Sequence, residues 1–450
     1  MVFAIFKHII SAGPTLMLPI VIFIFAILLR LNIGKAIQSA VTMGAAFAGL
    51  KLIINFMATN LGPATKAMVT HLGIHLNIID MGFGTLGAIG WSSPIVPLMV
   101  FSIFFVNILL LISNKTNTLS VDIWNYHHGL TIGALIFFES GNVLLSVGSA
   151  VCLEIFVFKL SDWAAPLVHN YFKIPSVTVP ALHPLTNLPI AVPLNWIIDR
   201  IPVFNKIDFN MESLRKYFGV FGQPLMIGLI LGLCIGLASG YDLYKAFGLG
   251  INMSTVMMLL PKVMQFFVEG LKPISAQAKK VTDKYFKGRK ILIGLDPSIL
   301  LGDPAVITTS LLMVPILLAL AVILPNNNFL PFADLAALGY KVSLIVALTR
   351  GNIFRSLIIS TIVFVPYFYF ATWTAWLVTA VAQSVGLGSS IPSGMMISSF
   401  VGPTMPISFL VLKVFMGNIW LTLPILLITF IACWIFVEKK IMPNIHYDED

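Results

Sequence analysis

Several ionisable and polar side chains stand in the middle of apolar runs, and their chemistry has to be explained first. Asp296 and Asp303 bracket the segment Gly294-Leu-Asp-Pro-Ser-Ile-Leu-Leu-Gly-Asp-Pro. A carboxylate there can accept hydrogen bonds from the hydroxyls of a sugar or polyol, which lose their water on entering a protein and need new partners. The competing reading of each Asp-Pro pair is structural: a turn, and a cap for the helix that follows. His127 and His128 lie in Asp122-Ile-Trp-Asn-Tyr-His-His-Gly, and His183 opens His183-Pro-Leu-Thr-Asn-Leu-Pro, which also holds Asn187. Each histidine is either a satisfied core residue or a donor and acceptor for substrate. Glu139, in Phe-Phe-Glu-Ser-Gly-Asn, reads as an interfacial residue or as a gate or proton site. Ser92 and Ser93, in Trp91-Ser-Ser-Pro, and Thr404, in Gly402-Pro-Thr-Met-Pro, offer the hydroxyl contacts of a sugar site, although such residues are common in any loop.

Composition decides the solvent around these groups. The chain has 450 residues, of which 58% are hydrophobic and only 10% charged, and its mean hydropathy is +0.96. A soluble domain carries roughly 25% charge. A soluble enzyme, a nucleic-acid binder and a disordered scaffold are therefore excluded, and the fold class is an all-α polytopic membrane protein. In that setting every buried ionisable residue is a site candidate. Lys and Arg outnumber Asp and Glu 27 to 18, an excess that the positive-inside rule explains. Cys152, Cys234 and Cys433 all lie in apolar runs, which is neither a disulfide framework nor a zinc-ligand spacing. No metal or cofactor is called for, and thiols shielded inside spans are not expected to carry a phosphoryl group.

A membrane helix needs about 20 mostly apolar residues. About eleven candidates fit: 13–31, 36–59, 94–113, 123–139, 141–161, 220–240, 243–263, 305–324, 330–349, 355–380 and 417–437. The first lacks the flanks of a cleaved signal and is expected to stay. Four further stretches, 74–93, 175–198, 291–304 and 389–413, are apolar but broken by Gly, Pro, Ser and Thr. Broken backbone at membrane depth survives where it is buried or lines a wet cavity, so these read as re-entrant hairpins or broken helices. The basic segments 200–216 and 262–290 share one face, which should be cytoplasmic. That puts the N-terminus outside and the C-terminus inside. Lys7, Lys66 and Lys245 fall outside, and Lys51, Lys341 and Lys413 fall within apolar segments.

The order of elements repeats. Gly13-Pro-Thr-Leu-Met-Leu-Pro-Ile resembles Gly222-Gln-Pro-Leu-Met-Ile-Gly-Leu, and each opens a half with a central hairpin aspartate, Asp80 or Asp296. Repeats at about 1–219 and 220–416, with an extra C-terminal span at 417–437, would each hold five spans. The second copy would then be inverted, a transporter plan that binds substrate near the midplane. No P-loop and no H-E-x-x-H motif occurs. No segment of about 100 residues is polar enough for a soluble catalytic domain, so the energy source is an ion gradient or a separate polypeptide.

Five segments in order, Gly13-Pro-Thr-Leu-Met-Leu-Pro-Ile-Val-Ile, Asp122-Ile-Trp-Asn, Ile293-Gly-Leu-Asp-Pro-Ser-Ile-Leu-Leu-Gly, Leu330-Pro-Phe-Ala-Asp-Leu-Ala and Arg350-Gly-Asn-Ile-Phe-Arg-Ser-Leu-Ile, carry a resemblance over almost the whole chain. The chain resembles the galactitol-type enzyme IIC, the permease of the bacterial phosphoenolpyruvate-dependent phosphotransferase system, in the ascorbate–galactitol superfamily. That resemblance implies a homodimer in the bacterial inner membrane, with a scaffold domain and a core that moves by an elevator-type mechanism. It implies uptake of galactitol or a related alditol, and phosphorylation by a separate cytoplasmic IIB bearing a phosphocysteine supplied through IIA. Asp296, His183 and His128 are then the leading substrate contacts, followed by Asn187, Ser92, Ser93, Thr404 and Asp303. The scaffold would be the first two spans of each half, roughly 13–59 and 220–263. IIB would land on the basic face, chiefly Lys272, Lys279, Lys280, Lys284 and Lys287, unless those lysines only fix topology and touch anionic lipid. The alternatives are a proton-coupled sugar symporter, with Glu139 or Asp296 as the proton site, and a membrane-embedded hydrolase resting on buried His and Asp.

Overall fold

Inside lipid a helix satisfies its own backbone, so the long apolar runs become helices. The computed structural model describes residues 14–436 and 439, apart from 72, 74, 75, 121, 206, 208, 286–290, 332, 386–390, 392, 393 and 418. Lys7 and Lys287 therefore lie outside the described residues, as do the side chains of Lys51, Lys279, Lys284 and Cys433.

The first stretch runs α1 (Pro14–Leu28), α2 (Ile33–His71), β1 (Ile78–Asp80), α3 (Gly82–Ser92), α4 (Val96–Ile112), β2 (Thr118–Ser120), α5 (His127–Ser140), α6 (Val143–Phe172), β3 (Val177–Thr178), α7 (Leu182–Leu185) and α8 (Leu188–Ile198). Two short helices, Pro202–Asn205 and Met211–Phe218, link it to the second. The second runs α9 (Pro224–Ala238), α10 (Leu243–Tyr285), β4 (Leu292–Gly294), α11 (Pro304–Ile323), β5 (Phe329–Leu330), α12 (Leu338–Leu348), α13 (Ile353–Ser384), β6 (Met396–Ser398), α14 (Pro406–Phe415) and α15 (Ile419–Phe436). Single 3-10 turns precede α5, α11, α12 and α14, at Ile123–Tyr126, Pro297–Leu300, Asp334–Ala337 and Gly402–Thr404.

The expectation of an all-α chain is corrected by six short strands among the described residues. They form two parallel three-stranded sheets, ordered β5-β1-β6 and β2-β4-β3. Each sheet takes its central strand from one stretch of the chain and both flanking strands from the other. The four broken segments are where β1, β3, β4 and β6 lie, each followed by helix. Interstrand pairing gives the interrupted backbone the partners that lipid cannot supply.

Among the described residues α6, α11 and α13 are each long and apolar enough to cross a membrane, and the pair Thr85–Ser92 with Val96–Ile112, bent by 95°, makes a fourth crossing if counted as one. The candidate spans 123–139 and 330–349 form only the 14 residues of α5 and the 11 of α12, each entered through its 3-10 turn. Conversely α2 and α10 run on to 39 and 43 residues.

Helices α1, α2, α9 and α10 pack on one another. Gly228, Gly232 and Gly236 form a small-residue stripe on α9, and a Cβ at Gly232 would stand 2.7 Å from Gly250 Cα of α10. Backbones approach that closely only where side chains are absent, the usual device for joining helices in lipid. Elsewhere large apolar side chains stay exposed, Trp420, Tyr244 and Leu144 among them, as a lipid-facing surface requires.

Candidate functional site

Two helices begin in the interior close to α7, and their first turns carry the polar groups. α5 starts with His127-His128; α12 starts with Leu338-Gly339-Tyr340-Lys341. Both follow a flanking strand and a 3-10 turn, so the fold puts the same local position of each stretch into one place. Gly339 packs closely there: a Cβ would meet Leu301 Cδ2 at 2.7 Å, and that side chain would have to shift.

The rings of His127 and His128 lie 3.8 Å apart between centroids, and His183 of α7 lies 4.4 Å from His128 and 5.4 Å from His127. Tyr340 closes one side at 5.9 Å from His183, and Phe83 presents an edge to it at 6.4 Å. His128 is buried, and neither of its ring nitrogens has a hydrogen-bond partner among the described residues. One nitrogen of each of the three imidazoles falls within 4.8 Å of the others, a spacing that can hold a metal ion. The Lys341 ammonium, within electrostatic range of His128 and His183, opposes a cation there. An uncharged ligand with hydroxyls suits the arrangement better, because imidazole accepts and ammonium donates.

Asn187 sits one turn beyond His183. Its Nδ2 donates to Lys341 O at 2.8 Å, and its Oδ1 accepts from Tyr367 Oη at 2.6 Å. Both ends are thus occupied in holding α12 and α13 against this turn. Asp296 accepts from Ser298 N at 2.8 Å, capping the 3-10 turn, and its charge reaches Tyr340. Asp303 caps α11 through Ala305 N at 2.9 Å and Val306 N at 3.1 Å, and accepts from Tyr171 Oη at 3.2 Å. Thr404 donates within its own loop to Ser399 O at 2.7 Å. Ser93 is buried at the end of α3, its Oγ without a partner among the described residues, whereas Ser92 is exposed. Glu139 is exposed near the far end of α5, about a dozen residues from His127.

Among the described residues, five charged residues absent from the candidate set prove to be buried: Asp122, Lys341, Asp80, Asp334 and Glu154. Lys341 has no exposed surface, and its Nζ has no hydrogen-bond partner among the described residues. Asp80 and Asp334 are 1% exposed and lie within its electrostatic range. Glu154 of α6 accepts from Gly129 N at 3.1 Å, bracing the first turn of α5, while its second oxygen is unpartnered. The signal for Lys341 was in the sequence: a charge inside an apolar segment is a site candidate by default.

Buried donors and acceptors thus gather at the broken segments of a polytopic protein. The family described as "PTS system sugar-specific permease component" matches residues 8–394. The chain belongs to this family. The galactitol-specific EIIC component of the phosphotransferase system of Escherichia coli (strain K12) is 36% identical over 411 residues, 91% of this chain and 90% of that one. Its counterpart in Escherichia coli O157:H7 matches to the same extent. The protein is thus an inner-membrane sugar permease subunit of the phosphotransferase system, and works with the system's EIIA and EIIB components. The sequence expectation of a phosphotransferase permease is borne out.

Proposed function

We propose that this permease takes up galactitol or a closely related alditol, binds it at the His128–His183 pair beside Asp296, and carries it inward for phosphorylation by a separate IIB protein. The observation behind the substrate is the 36% identity to galactitol-specific EIIC components along nine tenths of both chains. The site agrees chemically: an alditol is uncharged and offers a row of hydroxyls, each able to donate and accept at once. His183 and Tyr340 supply ring faces, and His128 supplies unspent ring nitrogens.

In this reading Ser92, Ser93, Asn187, Thr404 and Asp303 shape or support the site, and Glu139 is a possible gate. The two stretches are inverted repeats within about eleven spans, a plan supported by the exchange of central strands between the sheets. Helices α1, α2, α9 and α10 are the scaffold and dimer-forming part, and the two sheets with their helices are the core that travels as an elevator. The N-terminus lies outside, the C-terminus in the cytoplasm, and IIB approaches the basic cytoplasmic end of α10.

Reconstituted protein supplied with phosphoenolpyruvate, the general phosphotransferase proteins, IIA and IIB should accumulate galactitol phosphate from external labelled galactitol. Omission of IIB should abolish the product. Accumulation of free galactitol that follows a proton gradient would instead establish the symporter.

A further inference from the structure

Lys341 is a buried ammonium whose donors are unspent. Asp80 and Asp334 lie within electrostatic range, yet among the described residues neither reaches ion-pairing distance. Their oxygens are engaged elsewhere. Asp334 accepts from Phe83 N at 3.0 Å, Phe400 N at 2.6 Å and Ser399 Oγ at 2.5 Å; Asp80 accepts from Gly82 N and Asp334 N, each at 2.8 Å. The carboxylates therefore balance the charge of the ammonium without consuming its N–H groups. Its backbone is held as well, since Lys341 O accepts from Asn187 Nδ2, and Asn187 is fixed in turn by Tyr367. A buried ammonium left without hydrogen bonds is costly, and a fold that fixes its place so firmly leaves those bonds for something else.

His128 is its complement. The ammonium has only donors, whereas a neutral imidazole offers an acceptor nitrogen. One hydroxyl group can satisfy both, its oxygen accepting a hydrogen bond from Nζ while its O–H donates one to the ring. We infer that Lys341 is a specificity-determining substrate contact, donating from Nζ to an alditol hydroxyl that in turn donates a hydrogen bond to His128. This rests on the proposed alditol reading and extends it to sign of charge. Lys341 contributes one positive charge against the two negative charges of Asp80 and Asp334. The site therefore has no surplus to attract an anion, and it selects neutral polyols over sugar acids.

The test uses the full chain in detergent, with labelled galactitol binding and thermal unfolding measured side by side. Lys341→Met keeps length and removes the charge. It should bind galactitol about 10- to 150-fold more weakly, the range expected for one charge-assisted hydrogen bond. Its ligand-free unfolding temperature should fall, because Asp80 and Asp334 lose the charge that balances them, so binding is read per folded molecule. Wild-type affinity in Lys341→Met overturns the inference. So does the pattern of a merely structural lysine, in which stability falls and the folded fraction binds normally.

If Lys341→Met does not fold, the monodeoxy analogues of galactitol decide on the wild type. At least one should lose more than about 10-fold in affinity, and galactonate should bind at least about 10-fold more weakly than galactitol. A flat series, or galactonate binding as well as galactitol, overturns the inference. Failure of the alditol reading is separate, because it shows on the wild type alone. If wild type binds no alditol, the sugar that it delivers as a phosphate becomes the probe, and an unchanged affinity for that sugar in Lys341→Met overturns the inference.

Discussion

The backbone N–H of Asp334 donates to the Asp80 carboxylate across 2.8 Å, joining residues 254 apart in the chain. Asp80 ends the central strand of one sheet, and Asp334 opens the turn that leads into α12. The Asp334 carboxylate gathers Phe83 from α3 and Ser399 and Phe400 from the loop after β6. Two acidic side chains thus bind both stretches of the chain at the site's edge.

Removing Asp334 should therefore unfold this edge. Asp334→Ala leaves the Phe400 amide and the Ser399 hydroxyl buried without an acceptor, each costing about 1–3 kcal/mol, and strips the part-buried Phe83 amide as well. A loss of roughly 3–6 kcal/mol, seen as a large drop in unfolding temperature or failure to accumulate in the membrane, is expected. Asp334→Asn keeps one acceptor and should lose less. An Ala variant that melts with the wild type would remove this network from the fold's support.

Asp296 should act on binding instead of folding. Asn at this position retains an oxygen for Ser298 N, so the turn should persist. The charge is lost, and galactitol affinity should fall about 10- to 150-fold in equilibrium binding. Normal affinity in a well-folded Asp296→Asn protein would take the carboxylate out of the site.

The helices and the four broken segments were legible because length and apolar content carry them. The strands were not, because two or three residues show no period, and each pairs with a segment far off in the chain. Asp303 carried two readings from the start, and its bonds to Ala305 and Val306 are those of a helix cap. Lys341 was visible as a charge but not as a site, because a sequence does not say whether a lysine points inward or snorkels toward water. The proposed repeat has a further sign at two helix junctions. Gly141-Asn142 and Gly351-Asn352 both place a glycine with positive φ, 62° and 78°, ahead of an asparagine that caps α6 or α13. Only a helix-stop residue followed directly by a helix-start residue does this, so the dipeptide marks the same joint in both stretches.

A disulfide within the scaffold should leave transport intact. Asn252 Nδ2 of α10 donates to Asn60 Oδ1 of α2 at 2.7 Å, so cysteines at these two positions face each other. If both helices belong to one rigid part, oxidised Asn60→Cys/Asn252→Cys protein should transport like the reduced form. Loss of transport on oxidation, restored by reductant, would place a moving boundary between α2 and α10 and contradict the elevator arrangement.

The phosphoryl carrier should lie on another chain. A phosphocysteine needs a thiolate that meets water beside positive charge. Cys152 is half-buried in α6, and Cys234 is exposed on α9, a helix with no charged residue between Pro224 and Ala238. A variant with Cys152, Cys234 and Cys433 all changed to Ala should therefore still yield galactitol phosphate when phospho-IIB is added. The proposed surface for that partner is the basic end of α10, where Lys272 and Lys280 are exposed. Changing both to Glu should raise the apparent KM for phospho-IIB several-fold, more strongly at low salt, because such charges steer encounter over about a Debye length. Binding of free galactitol should not change, since in the proposed arrangement α10 belongs to the scaffold and not to the site. An unaltered KM would leave these lysines to topology and lipid. Loss of phosphorylation in the folded cysteine-free protein would return the carrier to this chain.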